Sequence, residues 1–144
     1  MPTPYLLIEH LTKSVGSKVL FEDISFAVNE GQRIALIARN GIGKSTLLDI
    51  IAGKTDYDEG KITFRNDLKI GYLPQSLAGD APTVSRTEKS PFKGDLEGRT
   101  ALKYTQLLTQ LGITDIDSKP FEQRSGGQQK RIALAQVLAQ EPDF

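Results

Sequence analysis

The chain has 144 residues, its 18 Lys and Arg balance its 18 Asp and Glu, and it contains no cysteine. The length suits one domain with a sizeable core, the zero net charge excludes a general electrostatic attraction to nucleic acid or to a membrane surface, and the missing thiols exclude disulfides and thiolate metal sites. The N-terminus lacks the pattern of a signal peptide, and no apolar run reaches the roughly 18 residues of a membrane helix. We therefore expect a soluble, cytoplasmic protein.

The first half of the chain predicts strands on either side of a glycine-rich turn. Segments 5–11 and 19–28 have the length and apolar patterning of strands. The run IALIA at 34–38 is continuously apolar, as in a strand buried on both faces. Beyond the turn, segment 44–53 has apolar residues at helical spacing and stops at Gly53. Two further short strands are predicted at 61–64 and 69–74.

The second half predicts a polar segment followed by two helices. Segment 78–99 mixes Gly, Pro, Ser and both signs of charge, which indicates a mobile surface segment. The first helix ends before Gly112, and its apolar residues recur at i, i+3, i+4 and i+7: Tyr104, Leu107, Leu108 and Leu111. The second helix spans 125–141, with Ser125 as its N-cap and Pro142 beyond its end.

The order of these elements predicts an α/β fold. Strands and helices alternate around the glycine-rich turn, which favours a mixed sheet whose central strands are parallel. The first two strands can form an antiparallel part of that sheet. No internal repeat interrupts the order.

The stretch ARNGIGKST, at 38–46, predicts a phosphate-binding loop. Such a loop lies between a strand and a helix, where consecutive backbone amides and the helix N-terminus attract phosphates. Lys44 can reach the β- and γ-phosphates, the Ser45 hydroxyl can bind Mg²⁺, and Thr46 can reach an α-phosphate oxygen. The predicted nucleotide-binding residues are Asn40, Gly41, Ile42, Gly43, Lys44, Ser45 and Thr46.

Ala38 is the one departure from the loop pattern G-x-x-x-x-G-K-[ST], because it occupies the position of the first glycine. If this position requires a positive φ, alanine costs about 1 kcal/mol. If the glycine only leaves space, a methyl group is tolerated. The sequence leaves both alternatives open.

Three motifs in a fixed order, RNGIGKST, YLPQ and RSGGQQKR, resemble those of ATP-binding cassette (ABC) ATPases. The resemblance extends from Leu6 to Phe144 and implies a P-loop NTPase-like ABC cassette with a helical subdomain. It implies that Gln75 faces the Mg²⁺ ion and the attacking water, so that Ser45 and Gln75 are the expected metal ligands. ATP with Mg²⁺ is the implied ligand.

The third motif matches the signature sequence of the family. The resemblance implies that its serine and glycine amides contact the γ-phosphate of ATP bound to the opposite cassette, in a head-to-tail dimer of two cassettes. These cassettes can lie in the same chain or in different chains. The signature residues are Ser125, Gly126, Gly127 and Gln128.

The resemblance also divides the chain into parts. We expect the core with the phosphate loop at 1–75, the helical subdomain at 76–124, including the mobile segment 78–99, and the signature helix at 125–144.

Several positions depart from the family pattern. Val15 stands where an aromatic side chain usually stacks on adenine, and Tyr5 is a distant substitute that we expect to be structural. Arg124 replaces an apolar residue that packs behind the signature loop, so we expect it to loosen this loop or to point to solvent. His10 is the only histidine, and we expect an ordinary strand residue.

The end of the chain is the largest departure. In the family, a motif like EPDF is followed by an apolar strand that closes in Asp-Glu, the carboxylates that serve Mg²⁺ and the attacking water. The sequence stops at Phe144 before such a strand. We therefore expect an incomplete cassette, no catalytic residue in this chain, no hydrolysis by it alone, and an unpaired apolar edge beside the phosphate loop.

The short step from Gly60 to Gln75 resembles the soluble ABC-F group, which carries two cassettes in one polypeptide. Many of its members act on ribosomes, so the sequence favours a translation factor with the ribosome as a candidate partner. Two alternatives stay open. One is the ATP-binding subunit of an ABC transporter, with a membrane subunit as its partner. The other is a non-catalytic interaction module whose altered Ala38, Val15 and Arg124 mark a decayed site.

Overall fold

The structure is a computed structural model that describes residues 3–77, 83–86, 99–115 and 120–144, with the backbone alone for 83–86. The chain divides into two compact units, Met1–Leu68 and Lys69–Phe144. Among the described helices, none combines the length and hydropathy needed to cross a bilayer.

The first unit contains an antiparallel sheet of three strands in the order β2-β1-β3. Strand β1 is Leu6–Val15, β2 is Lys18–Val28 and β3 is Glu59–Phe64. The middle strand β1 supplies the most deeply buried side chains of the sheet, Leu6, Ile8 and Leu11, which are 0% exposed. The predicted antiparallel pair is confirmed, and β1 runs four residues beyond its predicted end at Leu11.

Strands β1 and β2 contain irregularities at His10 and Asp23, which have φ values of 52° and 51°. The His10 Nδ1 atom lies 2.6 Å from Asp23 Oδ1, and the His10 amide donates to Ser25 Oγ at 2.8 Å. These contacts satisfy local polar groups at a bulge, which is a common way to bend a sheet. His10 is therefore part of strand architecture, as the sequence predicts.

Helix α1, Lys44–Ile51, follows the glycine-rich turn as predicted. It buries Leu47, Ile50 and Ile51, while Leu48 is 45% exposed. The chain leaves the helix through Gly53, which has a φ of 74° that suits glycine at a helix C-terminus.

The prediction of a buried strand at 34–38 is wrong. These residues have no regular secondary structure, and Ile34 and Ile37 are 53% and 93% exposed. An apolar run becomes a strand only where a neighbour accepts its backbone hydrogen bonds. Within the described residues of the first unit no strand pairs with this run. The apolar side chains that the sequence predicts at an unpaired edge are thus exposed, but they do not lie on a strand.

The second unit contains the two-stranded antiparallel sheet β4-β5, in which β4 is Lys69–Tyr72 and β5 is Thr83–Arg86. Beside β4, the Phe144 amide donates to the Lys69 carbonyl at 3.2 Å and the Gly71 amide donates to the Phe144 carbonyl at 2.8 Å. Two bonds that straddle one residue in this way are the pattern of parallel neighbours. Phe144 is not part of a strand, and each strand pair in the described residues is antiparallel, so the parallel central strands that the sequence predicts do not form there.

Two helices complete the second unit. Helix α2 is Arg99–Gln110, and helix α3 is Gly126–Ala139, preceded by a short 3₁₀ turn at Phe121–Gln123. An apolar cluster joins α2 to α3, with Leu108, Ile113, Ile132 and Ala135 at its centre and Tyr104, Leu107, Leu111 and Phe121 packed around it. Most of the predicted mobile segment, namely 78–82 and 87–98, lies outside the described residues.

The contact between Gly60 and β1 makes a testable demand. Gly60 has a φ of 103°, and an added Cβ atom would lie 2.5 Å from the His10 carbonyl oxygen and 2.7 Å from the Glu9 carbonyl oxygen. Because both obstacles are backbone atoms, we expect Gly60→Ala to lower the free energy of unfolding by at least about 3 kcal/mol. Urea denaturation followed by circular dichroism measures this change.

Gly16 provides the matched control, because its φ is 59° and an added Cβ would meet nothing within 4 Å. Gly16→Ala should lower the free energy of unfolding by only about 1 kcal/mol, from backbone strain alone. Equal losses in the two variants would contradict the steric argument.

Candidate nucleotide-binding site

The turn between IALIA and α1 has left-handed backbone at two glycines, as a phosphate loop requires, although no strand precedes it. Gly41 and Gly43 have φ values of 80° and 100°, which favour glycine. A Cβ atom on Gly43 would also lie 3.0 Å from Leu20 Cβ. Ala38 is not among the residues with a positive φ. The alanine therefore carries no left-handed strain, which decides between the two alternatives that the sequence leaves open.

Two lysine side chains rest on carbonyl oxygens of the loop. The Lys44 ammonium donates to the carbonyl oxygens of Ala38 and, at 3.0 Å, of Arg39. The Lys18 ammonium, from the start of β2, donates to the Gly41 carbonyl at 3.0 Å. Sequence analysis missed Lys18, and the only signal was its position just after the Gly16 turn. The loop thus gathers two cations over a stretch of nine residues.

The N-terminus of α1 opens on the same loop. Its N-cap is Gly43, which provides no side-chain cap, and the first turn contains no acidic residue. The first amides of a helix point outward and carry the positive end of its dipole. Loop, dipole and two ammonium groups together suit a polyphosphate anion.

An apolar cavity of about 400 Å³ lies beside the loop. Side chains of β2, of the exposed run and of α1 line it, among them Phe21, Phe26, Leu36, Ile37 and Leu47. Four residues of the predicted phosphate loop line it as well: Ala38, Ile42, Gly43 and Lys44. The cavity therefore adjoins the loop and offers it a mainly apolar surface.

The signature residues form the N-terminus of α3 in the second unit. The Gln128 amide donates to Ser125 Oγ at 3.3 Å, and the Ser125 amide donates to Gln128 Oε1 at 3.4 Å, which completes a capping box. Gly126 and Gly127 are exposed, and a Cβ atom on either would meet nothing within 4 Å. The fold of this unit therefore does not require glycine at these two positions.

Comparison with known proteins gives consistent matches. A family model described as ABC transporter matches residues 21–144. The uncharacterized ABC transporter ATP-binding protein YfmR of Bacillus subtilis (strain 168) is 33% identical over 96% of this chain and 28% of its own length. The zinc import ATP-binding protein ZnuC of Ruegeria pomeroyi is 32% identical over 99% of this chain and 55% of its own length. The chain belongs to the ABC transporter family.

Solved structures agree with this assignment. An inward-facing metal-chelate type ABC transporter is 26% identical, with a TM-score of 0.68 over 96% of this chain and 56% of that one. An archaeal ribosome recycling factor, aABCE1, solved with the stalk protein aP1, is 27% identical, with a TM-score of 0.66 over 96% of this chain and 26% of that one. The predicted fold class, an ABC cassette with a mixed sheet and helices, is confirmed. The chain spans about half the length of most curated relatives it matches, for example 55% of ZnuC.

The predicted residues fall into two groups in this ABC cassette. Asn40 to Thr46 share one loop and helix start in the first unit, whereas Gln75 and Ser125 to Gln128 belong to the second unit. Gln75 is exposed in a bend three residues after β4. Within the described residues no cluster of three or more His, Asp or Glu side chains could hold a metal ion.

Two side chains considered for the adenine contact are now placed. Val15 ends β1 at the hairpin turn and is 58% exposed. Tyr5 is buried, and the Arg65 guanidinium lies 4.2 Å from its ring centroid. Arg65 also pairs with Glu30 at 3.2 Å. Tyr5 is therefore committed to packing, as the sequence predicts.

The expectation for Arg124 is wrong. This side chain neither points to solvent nor loosens the loop, because it is 1% exposed and forms an ion pair with Asp115 at 3.2 Å. It also donates to the Asp115 backbone carbonyl at 2.6 Å. A buried arginine persists only where charge and hydrogen bonds are satisfied. The sequence could not reveal the partner, which lies nine positions earlier.

The Lys18 contact leads to a prediction about the loop. In Lys18→Met, the Gly41 carbonyl loses one charge-assisted bond, and we expect the backbone order parameters of Asn40 to Ile42, measured by NMR relaxation, to fall. Lys18→Arg should retain the order parameters of the wild type, since it keeps a cationic donor. Lys13, which pairs with Asp58 at 3.8 Å elsewhere in the unit, provides the control variant Lys13→Met. Unchanged order parameters of the loop in Lys18→Met would contradict a tethering role.

Proposed function

We propose that this cassette binds ATP with Mg²⁺ through Asn40 to Thr46, as the ATP-binding subunit of an ABC transporter. The observation that carries the proposal is the loop itself, which has glycines at positive φ, two lysines at its carbonyls and an uncapped helix N-terminus. These features present donors and positive charge toward one concavity.

Lys44 has the donor geometry that phosphate binding needs. Its ammonium satisfies neutral carbonyl oxygens of its own loop, at Ala38 and Arg39. Phosphate oxygens are charged acceptors and make stronger hydrogen bonds with an ammonium than carbonyl oxygens do. Lys44 would thus exchange weaker partners for stronger ones with little reordering of the loop, while the amides at the start of α1 bind further phosphate oxygens.

The resemblance assigns two oxygen donors to Mg²⁺. Ser45, in the first turn of α1, offers a hydroxyl, and Gln75 offers an amide oxygen. Mg²⁺ prefers such oxygen ligands and retains several waters alongside them. Lewis-acid stabilisation of the phosphates is what the ion would supply when bound.

The signature residues support a composite site in a head-to-tail dimer. Gly126 and Gly127 leave open space that their own unit does not need, and Ser125 holds the helix start in a capped form. Such a surface allows a close approach of phosphate to backbone amides. We propose that Ser125 to Gln128 contact the nucleotide of a partner cassette. We also propose that the chain consists of a core at 1–75, a helical subdomain at 76–124 and the signature helix at 125–144.

We propose hydrolysis only for a chain that also contains the water-activating carboxylate, which the resemblance assigns to an Asp-Glu pair after an apolar strand. The Asp-Glu pair of these 144 residues, Asp58-Glu59, lies at the start of β3 and does not follow an apolar strand. The proposed activity here is nucleotide binding.

The transporter role draws support from relatives such as ZnuC, which is named as a zinc import ATP-binding protein. The second candidate, an ABC-F type factor acting on ribosomes, draws on the short step from Gly60 to Gln75 and on the 27% likeness to a ribosome recycling factor. More of the named relatives are transport subunits, which favours a membrane subunit as the partner.

The test of ATP binding is a comparison of affinities by calorimetry with ATP and Mg²⁺. Lys44→Ala should weaken binding roughly 10- to 100-fold, because it removes charge-assisted bonds to phosphate. Lys54→Ala, which removes a lysine beyond the end of α1, is the control and should bind like the wild type. Equal affinities in wild type and Lys44→Ala would contradict the role of Lys44 in phosphate binding. If neither protein binds ATP, the result favours an interaction module with a decayed nucleotide site.

The choice between the two roles follows from fractionation of the longer protein in its own cells. A transporter subunit should float with membranes in a density gradient and be released when its membrane partner is deleted. Sedimentation with ribosomes in the presence of a non-hydrolysable ATP analogue, with none on membranes, would instead establish the ABC-F role.

A further inference from the structure

The residue directly before the signature is fastened in two directions. Arg124 has extended backbone, with φ −84° and ψ 155°, and its amide donates to the Phe121 carbonyl at 3.2 Å. Its guanidinium contacts Asp115 through Nη1 to the carboxylate at 3.2 Å and through Nη2 to the backbone carbonyl at 2.6 Å. A planar guanidinium with two fixed acceptors constrains orientation as well as distance.

Asp115 belongs to the stretch that leaves helix α2. Within this stretch Ile113 is buried in the apolar cluster that also contains Ile132 of α3. Arg124 therefore ties the N-terminus of α3 to the C-terminal exit of α2, next to an apolar contact between the same two elements. The Arg124 charge also acts on Tyr104. Burial raises the pKa of the Tyr104 hydroxyl, and both the hydrogen bond with Gln136 and the Arg124 charge act to lower it.

We propose that Arg124 is a positioning residue for the signature: through Asp115 it fixes where Ser125 and the first amides of α3 point. This inference rests on the proposed function, in which those groups contact the nucleotide of a partner cassette. An apolar side chain at this position would make only non-directional contacts. The ion pair is directional, so the orientation of Ser125 and of the first amides of α3 depends on Asp115 at the end of α2.

Two further side-chain contacts fasten α3, one from its first turn and one from beyond it. The Gln129 side chain donates to the Phe121 carbonyl at 2.9 Å, and the Arg131 side chain donates to the Leu111 carbonyl at 3.4 Å. Arg131 is exposed and lies seven positions further along. Arg131→Leu is therefore a matched control, which removes an arginine-to-carbonyl bond from the same helix and leaves the signature end intact.

The first experiment is amide hydrogen exchange in the longer protein. The amides of Gln128 and Gln129 donate to Ser125 Oγ at 3.3 Å and to the Ser125 carbonyl at 2.9 Å, so their exchange reports how firmly the signature end is held. We expect Arg124→Leu to raise exchange at these two amides at least tenfold, Asp115→Asn to raise it less, and Arg131→Leu to leave it unchanged. Arg124→Lys keeps the charge, and it should restore part of the protection. If Arg124→Leu and Arg131→Leu behave alike, the positioning role is overturned. Circular dichroism confirms that each variant is folded.

The second experiment separates positioning from general damage by mixing variants. One protomer carries a fluorescence donor and the other an acceptor, so that only mixed dimers are observed in the presence of a non-hydrolysable ATP analogue. Lys44→Ala mixed with Arg124→Leu leaves one site with an intact loop facing an intact signature. The double variant Lys44→Ala/Arg124→Leu mixed with wild type leaves none.

We expect nucleotide-dependent association in the first mixture and at least tenfold weaker association in the second. Equal association in the two mixtures would overturn the inference, because the same substitutions are present in both. The ATP affinity of Arg124→Leu should stay within twofold of wild type, since its own phosphate loop is unchanged. Loss of ATP binding by the wild type itself would overturn the proposed function, a result distinct from the failure of the Arg124 inference.

Discussion

The contact of the Lys44 ammonium with the carbonyl oxygens of Ala38 and Arg39 is the constraint on which the proposed nucleotide site depends. Lys44 begins α1, so its side chain can contact the Ala38 and Arg39 carbonyls only if the chain turns sharply between Arg39 and Lys44. Gly41 and Gly43 make that turn with left-handed backbone, and Lys18 ties the loop to β2. Contacts within the chain thus hold the loop in shape, which limits the ordering that binding must bring about.

The sequence predicts the parts of this site that local chemistry determines. Phosphate loop, α1 and the capped start of α3 all follow from short patterns, because glycine conformation, helix spacing and capping act within a few residues. Lys18 escapes prediction because its acceptor, Gly41, lies 23 positions away. Arg124 escapes for the same reason. An arginine is ordinarily solvated, but it can be buried when a carboxylate elsewhere in the chain pairs with it. The sequence pattern does not show which carboxylate will do so.

Strand prediction shows the same limit in the backbone. IALIA at 34–38 and KIGY at 69–72 are both short and apolar, yet only the second forms a strand. The difference is in their neighbours: β4 has β5 on one side and the Phe144 backbone beside it, whereas no described strand of its unit pairs with 34–38. Apolar patterning establishes which residues suit a strand, and hydrogen-bonding partners decide whether the strand forms.

The Arg124–Asp115 pair adds little to stability, but it can orient the start of α3. Burying a guanidinium requires full compensation, and an apolar residue of similar volume is often as stable or more so. Stability alone therefore gives little reason for an arginine here. Orientation of the helix start gives a better reason for an arginine, since backbone amides bind phosphate only within a narrow range of distance and angle. In the proposed dimer, a residue that fixes the orientation of those amides would therefore affect binding of the partner's nucleotide more than it affects the fold of its own unit.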